Sequence, residues 1–161
     1  MFARLGPAQP SQGADVIARA VGALALAALA VIHLVDLPGT LGPTPLVGAG
    51  YLGIIAAAVL TGGVMITRSH WLAWAAAGAV AASAMGGYVL TRAVPGGFLG
   101  DHADVGNWRC PLGIAALSVE TLIILLVVLA AWQARARTAS VPAQPLPEPL
   151  TRRTPEYSRP G

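Results

Sequence analysis

Most of the chain's polar chemistry away from its ends falls in one stretch, Arg92 to Glu120, which reads RAVPGGFLGDHADVGNWRCPLGIAALSVE. It holds Asp101, His102, Asp104, Asn107, Trp108 and the single Cys110, then runs into an apolar segment that carries Glu120. Glu120 stands nine positions after Pro111, which at 1.5 Å each places it about 13 Å into a membrane span. A carboxylate at that depth is costly and marks either ligand or proton handling or a locking hydrogen bond between helices. Ser83, Thr61 and Tyr88 are the candidate partners for the second reading.

A second group lies upstream. His33 and Asp36 are three apart, on one helix face, where a carboxylate can orient an imidazole or share a metal with it. The alternative is that Asp36 ends the helix while His33 satisfies a backbone group. Tyr88 and Arg92 are spaced i, i+4 and fall near the same membrane boundary. His33, Asp36, Tyr88, Arg92 and Glu120 thus form a candidate polar cluster, with Asn107 and Trp108 in the loop above it. Arg92 is expected to pair with Glu120 or Asp36, or to hold an anionic ligand such as a lipid head group. A metal-handling or redox reading puts copper, iron or zinc at His33, Asp36, His102 and Asp104, with Asp101 beside them, and requires those side chains to converge. Haem is disfavoured because His70 falls on the opposite side from His33 and His102. Cys110 has no resolving partner and reads as an unreactive thiol, and Trp108 as an interfacial anchor.

The elements that must position these residues follow from composition. The 161 residues are 55% hydrophobic and only 11% charged, where a soluble domain carries about a quarter charged residues. Four runs are long enough to span: 16–35, 46–67, 71–91 and 111–132. Pro38, Gly39, Gly42, Pro43 and Pro45 mark a loop over 36–45, and Pro111 suits the first turn of the fourth helix. The first run lacks a basic start and a small-residue cleavage pattern, so it reads as retained. The fold class expected is all-α, a four-transmembrane-helix bundle. Arg4, Arg19, Arg68, Arg135 and Arg137 lie on one side, which puts both termini in the cytoplasm and loops 36–45 and 93–110 outside. Residues 1–15 read as a polar lead. Residues 133–161 read as a disordered Pro/Arg-rich tail, solvated near anionic lipid, with Pro142–Pro149 able to engage a partner in extended form.

Small residues set how such helices meet, since lipid is as apolar as a leucine core. Ala75, Ala79, Ser83 and Gly87 make an every-fourth row on the third span, Gly50, Gly53, Ala57 and Gly62-Gly63 a row on the second. Gly113 and Ala116 precede Glu120 on one face of the fourth and point it inward. All ten basic residues are Arg and none forms a basic face, so nucleic acid is excluded as a partner. No nucleophile–base pair, phosphate loop or dinucleotide fingerprint is present, so no reaction is assigned. A transporter would need an oligomer, and no half-helix breaks are evident.

Ile32-His33-Leu34 with Asp36-Leu37-Pro38-Gly39, Gly87 to Arg92, Val105-Gly106-Asn107-Trp108, Pro111-Leu112-Gly113 and Ser118-Val119-Glu120 together resemble a family of small four-helix integral membrane proteins of high-GC bacteria. The likeness covers about residues 20–130. It is also similar to the membrane region beside copper-binding cupredoxin-type domains, although no such domain is present here. The chain has Thr91-Arg92-Ala93 and Val94-Pro95-Gly96-Gly97 where members usually show Ser-Arg-Thr and Gly-Leu-Pro-Gly. Cys110 stands where many carry an acid. The resemblance implies a four-span fold and supplies no activity. The expected function is an accessory subunit or small-ligand or lipid binder of the bacterial plasma membrane. Its expected partners are the bilayer and a membrane protein or second copy of the chain.

Overall fold

A computed structural model of the chain describes residues 12–68 and 70–139. Among them the protein is all-helical, with four helices: α1 (Gln12–Leu41), α2 (Pro45–Thr67), α3 (Trp71–Ala93) and α4 (Pro111–Ala139). Each is long and apolar enough to cross a membrane; even the 23-residue α2 reaches roughly 35 Å at 1.5 Å per residue. Leu24, Leu60, Ile66 and Leu125 are 61% to 71% exposed on the outside of the bundle. That arrangement would be unstable in water and suits a lipid solvent.

The helices run up and down in a ring. α1 packs on α2 and α4, and α3 packs on the same two neighbours. Leu26, Leu29, Ala58, Met65, Ala77, Ala81 and Ile123 form the central seam. Gly22 and Gly62 permit the α1–α2 approach: a Cβ on Gly22 would lie 2.8 Å from the Met65 sulfur. At that end Arg19 donates from Nε to the Met65 carbonyl at 2.8 Å and from Nη2 to the Ile66 carbonyl at 2.5 Å. These bonds satisfy two of the carbonyls left open at the end of α2.

Several boundaries differ from the sequence reading. α1 does not stop at 35 but continues to Leu41 with Pro38 inside it, and only Gly42, Pro43 and Thr44 join it to α2. Proline removes one helical donor, but Thr hydroxyls re-satisfy the neighbouring carbonyls. Thr40 Oγ1 donates to Asp36 O at 3.0 Å, and both N and Oγ1 of Thr44 donate to Thr40 O at 2.9 Å. α1 begins at Gln12 within the expected polar lead, and α4 runs seven residues into the expected tail, to Ala139. The remainder of that tail, including Pro142–Pro149, lies outside the described residues.

The packing faces also differ. Ala75, Ala79 and Ser83 are exposed, and the buried row of α3 is Ala73, Ala77, Ala81 and Ala84. On α2, Gly50, Gly53 and Gly63 meet nothing, whereas Gly48, Ala58 and Gly62 are buried. The α3 row is rotated from its expected position, whereas on α2 the expected Gly62 is buried and Ala57 packs on the core while Gly50, Gly53 and Gly63 face out; an apolar helix carries no polar stripe to mark its outer side. On α4 the expected face holds: Ala116, Glu120 and Ile123 are its buried residues.

Candidate functional site

At the end of the bundle where α1 leads into α2, all four helices and the α3–α4 loop enclose a cavity of ≈ 120 Å³. At about 30 Å³ per molecule this would hold roughly four waters. Its polar lining comes from His33 and Asp36 of α1, Tyr51 of α2, Ser83, Tyr88, Thr91 and Arg92 of α3, and Glu120 of α4. Phe98 and Leu99 close over it from the loop, while Leu112, Gly113 and Ala116 form the α4 wall leading down to Glu120. All five residues of the expected cluster therefore meet in one space.

Glu120 is only 1% exposed and its Oε2 has no hydrogen-bond partner. Neither Ser83, Thr61 nor Tyr88 supplies the expected lock to that oxygen. Tyr88 instead donates to the Trp108 carbonyl at 3.0 Å. A larger cavity of ≈ 300 Å³ opens at the opposite end beside His70, Trp74 and Arg137. No buried polar atom without a partner is found there among the described residues, so the Glu120 cavity is the stronger candidate.

Arg92 does not pair with Glu120 or Asp36. It is 6% exposed and forms an ion pair with Asp104, Nη2 to Oδ2 at 3.3 Å. Nε donates to Asn107 O at 3.1 Å, and Nη1 to Thr91 Oγ1 at 2.7 Å. The guanidinium also lies 3.8 Å from the centre of the Tyr88 ring. Loop geometry explains the preference. Gly106 N donates to Arg92 O at 3.0 Å and folds the loop back over the helix end, bringing Asp104 within reach. Asp104 is set in turn by Asn107 Nδ2 at 3.1 Å and by its own N–H on Asp101 Oδ1 at 3.2 Å. Asn107 and Trp108 thus stand outside the cavity as supports of Arg92 and Tyr88.

The loop tip depends on backbone freedom. Gly97 sits at φ +85, and a Cβ there would come within 2.8 Å of the Asp101 backbone. Leu99 adopts φ 52, a conformation costing about 1–2 kcal/mol for a side-chain-bearing residue. The turn around it places Phe98 and Leu99 over the cavity mouth.

His33 is buried, and its Nδ1 lies 3.0 Å from the Leu29 carbonyl. A carbonyl only accepts, so Nδ1 carries the hydrogen; in the neutral ring Nε2 is then a lone-pair acceptor. Its ring meets Tyr51 edge-on at 4.9 Å. Tyr51, which sequence reasoning did not select, donates its hydroxyl to Asp36 Oδ2 at 3.0 Å. The available signal was a lone phenol within the apolar α2, at the same membrane depth as His33 and Asp36.

The proposed metal set does not assemble. Among the described residues no three His, Cys, Asp or Glu side chains stand close enough to share an ion. His102 is exposed, and neither it nor Asp104 lines the cavity. Cys110 is half-buried at the start of α4, where its carbonyl accepts from Ile114 N at 3.0 Å. Comparison with protein-family models, with curated proteins and with solved structures gave no match.

Proposed function

We propose that this protein is a multi-pass protein of the bacterial plasma membrane that binds a small ligand in the Glu120 cavity. The observation that carries the reading is Glu120 itself, closed off from bulk solvent with one oxygen unpartnered at the inner end of a space all four helices build. A buried polar atom without a partner costs about 1–3 kcal/mol, a penalty that persists in a fold only where something offsets it. An incoming ligand would supply the missing bond. The copper, iron or zinc alternative is not carried forward, because its four residues do not form a ligand set.

The orientation belongs to the same proposal. Arg19, Arg68, Arg135 and Arg137 belong to the end where α1 begins and α4 finishes. At the cavity end Arg92 is consumed by Asp104, and Arg109 is outnumbered by acids. The positive-inside rule supports cytoplasmic termini, and the cavity then opens to the outer face. The resemblance to small four-helix proteins of high-GC bacteria supports the bacterial membrane. A role as accessory subunit is compatible, with the ligand held for a partner.

Two neighbouring glycines give the test. Gly86 and Gly87 both have open space where a Cβ would stand, but only Gly87 lines the cavity. Gly87→Leu fills the cavity and Gly86→Leu does not, while both raise helix propensity. Small molecules carried through purification are compared by mass spectrometry. The expected result is a molecule retained by wild type and Gly86→Leu and lost from Gly87→Leu; identical profiles in all three would refute the reading.

A further inference from the structure

We infer that the ligand is a small organic cation, an ammonium head on a compact apolar body, held by Glu120 and Asp36. The inference rests on the binding reading above and adds the chemical class. Its basis is which donors and acceptors the cavity leaves free.

The donors are committed to the protein. Tyr51 gives its hydroxyl to Asp36, Tyr88 to Trp108 O, and Thr91 to Gly87 O and Tyr88 O at 3.1 and 3.0 Å. Arg92 directs its guanidinium to Asp104, Asn107 O and Thr91. Ser83 is the one lining hydroxyl outside these bonds. The acceptors are in the opposite condition. Glu120 Oε2 has none of its capacity used, Asp36 receives a single phenol, and the neutral His33 ring offers Nε2. Such a cavity is poorly matched to a carboxylate or phosphate, which would bring only acceptors and a further negative charge to two acids. An ammonium brings several donors and no acceptor.

Charge leads to the same class. Neither Asp36 nor Glu120 makes an ion pair among the described residues, and Arg92, the one strong base in the lining, is matched by Asp104. A cation entering here meets two acids without a base of their own. Tyr51 and Phe98 line the same space, and aromatic rings attract a cation. The volume sets the size: at ≈ 120 Å³ the cavity is smaller than the roughly 150 Å³ that accommodates benzene, so the apolar body is a short branched alkyl group rather than an aromatic ring.

The protein in lipid nanodiscs is titrated by calorimetry with isobutylammonium, isobutanol and isobutyrate, three probes of similar size and different charge. Heat that remains in Gly87→Leu is bilayer partitioning and is subtracted. Isobutylammonium is expected to bind at least tenfold tighter than isobutanol, about 1.4 kcal/mol, with isobutyrate weakest. Glu120→Gln is expected to lower isobutylammonium affinity tenfold and leave isobutanol within twofold; Asp36→Asn lowers it about threefold. Alcohol or isobutyrate binding as tightly as the ammonium overturns the cation inference and leaves the binding site standing. A preference that survives both Glu120→Gln and Asp36→Asn overturns the assignment to these acids. No cavity-dependent heat from any probe overturns the inference and the binding reading together.

Discussion

Replacing Glu120 by leucine should stabilise this protein, the reverse of the usual outcome for a fully buried position. Most substitutions destabilise, by about 1 kcal/mol at the centre of the distribution. Here the wild-type residue is 1% exposed with Oε2 unpartnered. Removing an unsatisfied buried polar group recovers about 1–3 kcal/mol. Leucine is close to glutamate in volume, and its new neighbours include Ala116, Ile123 and the open cavity rather than a tight wall. Overpacking is therefore small, and a net gain of about 1–2 kcal/mol is expected. Glu120→Gln keeps an amide that still lacks a partner, so its gain should be smaller. Unfolding in mixed micelles of rising SDS fraction measures both, with the order Leu above Gln above wild type. The same leucine should abolish ligand retention, since stability and binding oppose each other at this residue. Destabilisation of Glu120→Leu by more than about 1 kcal/mol would show that the carboxyl is a structural tie between helices, and would refute the reasoning.

Four further outcomes are expected. Arg92→Gln should cost about 2–4 kcal/mol, because it strands Asp104, itself 30% exposed, and releases the loop; the double variant with Asp104→Asn should cost less than the sum of the singles, and additivity in that cycle would argue against coupling. Gly113→Ala should destabilise despite better helix propensity, because its Cβ would collide with the Tyr88 ring, whereas Gly87→Ala meets open space and should gain about 0.5–1 kcal/mol; melting temperatures of the pair decide it. Tyr51→Phe should cost about 1 kcal/mol by removing the hydroxyl from Asp36, and a neutral result by the same unfolding assay would mean that water replaces it. Cys110, at the cavity end and half-buried, should react with a membrane-impermeant maleimide added outside intact cells, and labelling only after lysis would reverse the proposed orientation.

The number and rough extent of the helices were legible because they are local. About 20 successive apolar residues must span or aggregate, whatever they pack against. The inward face of Glu120 was also legible, because Ala116 and Gly113, one and two turns before it, put small residues on that side of α4. His33, Asp36, Tyr88 and Arg92 could be assigned to one end of the bundle by counting along each span. What each would touch could not be counted. Arg92 was expected to meet Glu120 or Asp36, and its pairing with Asp104, which the sequence did not suggest, was made by a loop fold that depends on Gly97 and Gly106 and on the Gly106–Arg92 backbone bond.

The sequence by itself determined that four apolar helices would form, which residues lie near the cavity end, and that a carboxyl would be carried deep among them. Only the tertiary structure decided the rotation of α3, the pairing of Tyr51 with Asp36 and of Arg92 with Asp104, and the solitude of Glu120. The physical reason is the solvent. In water a polar face tells each helix which way to turn, but in lipid both faces are apolar and rotation is set by close packing alone. Those contacts fix which polar groups meet, and so leave Asp36 and Glu120 as acids without a base.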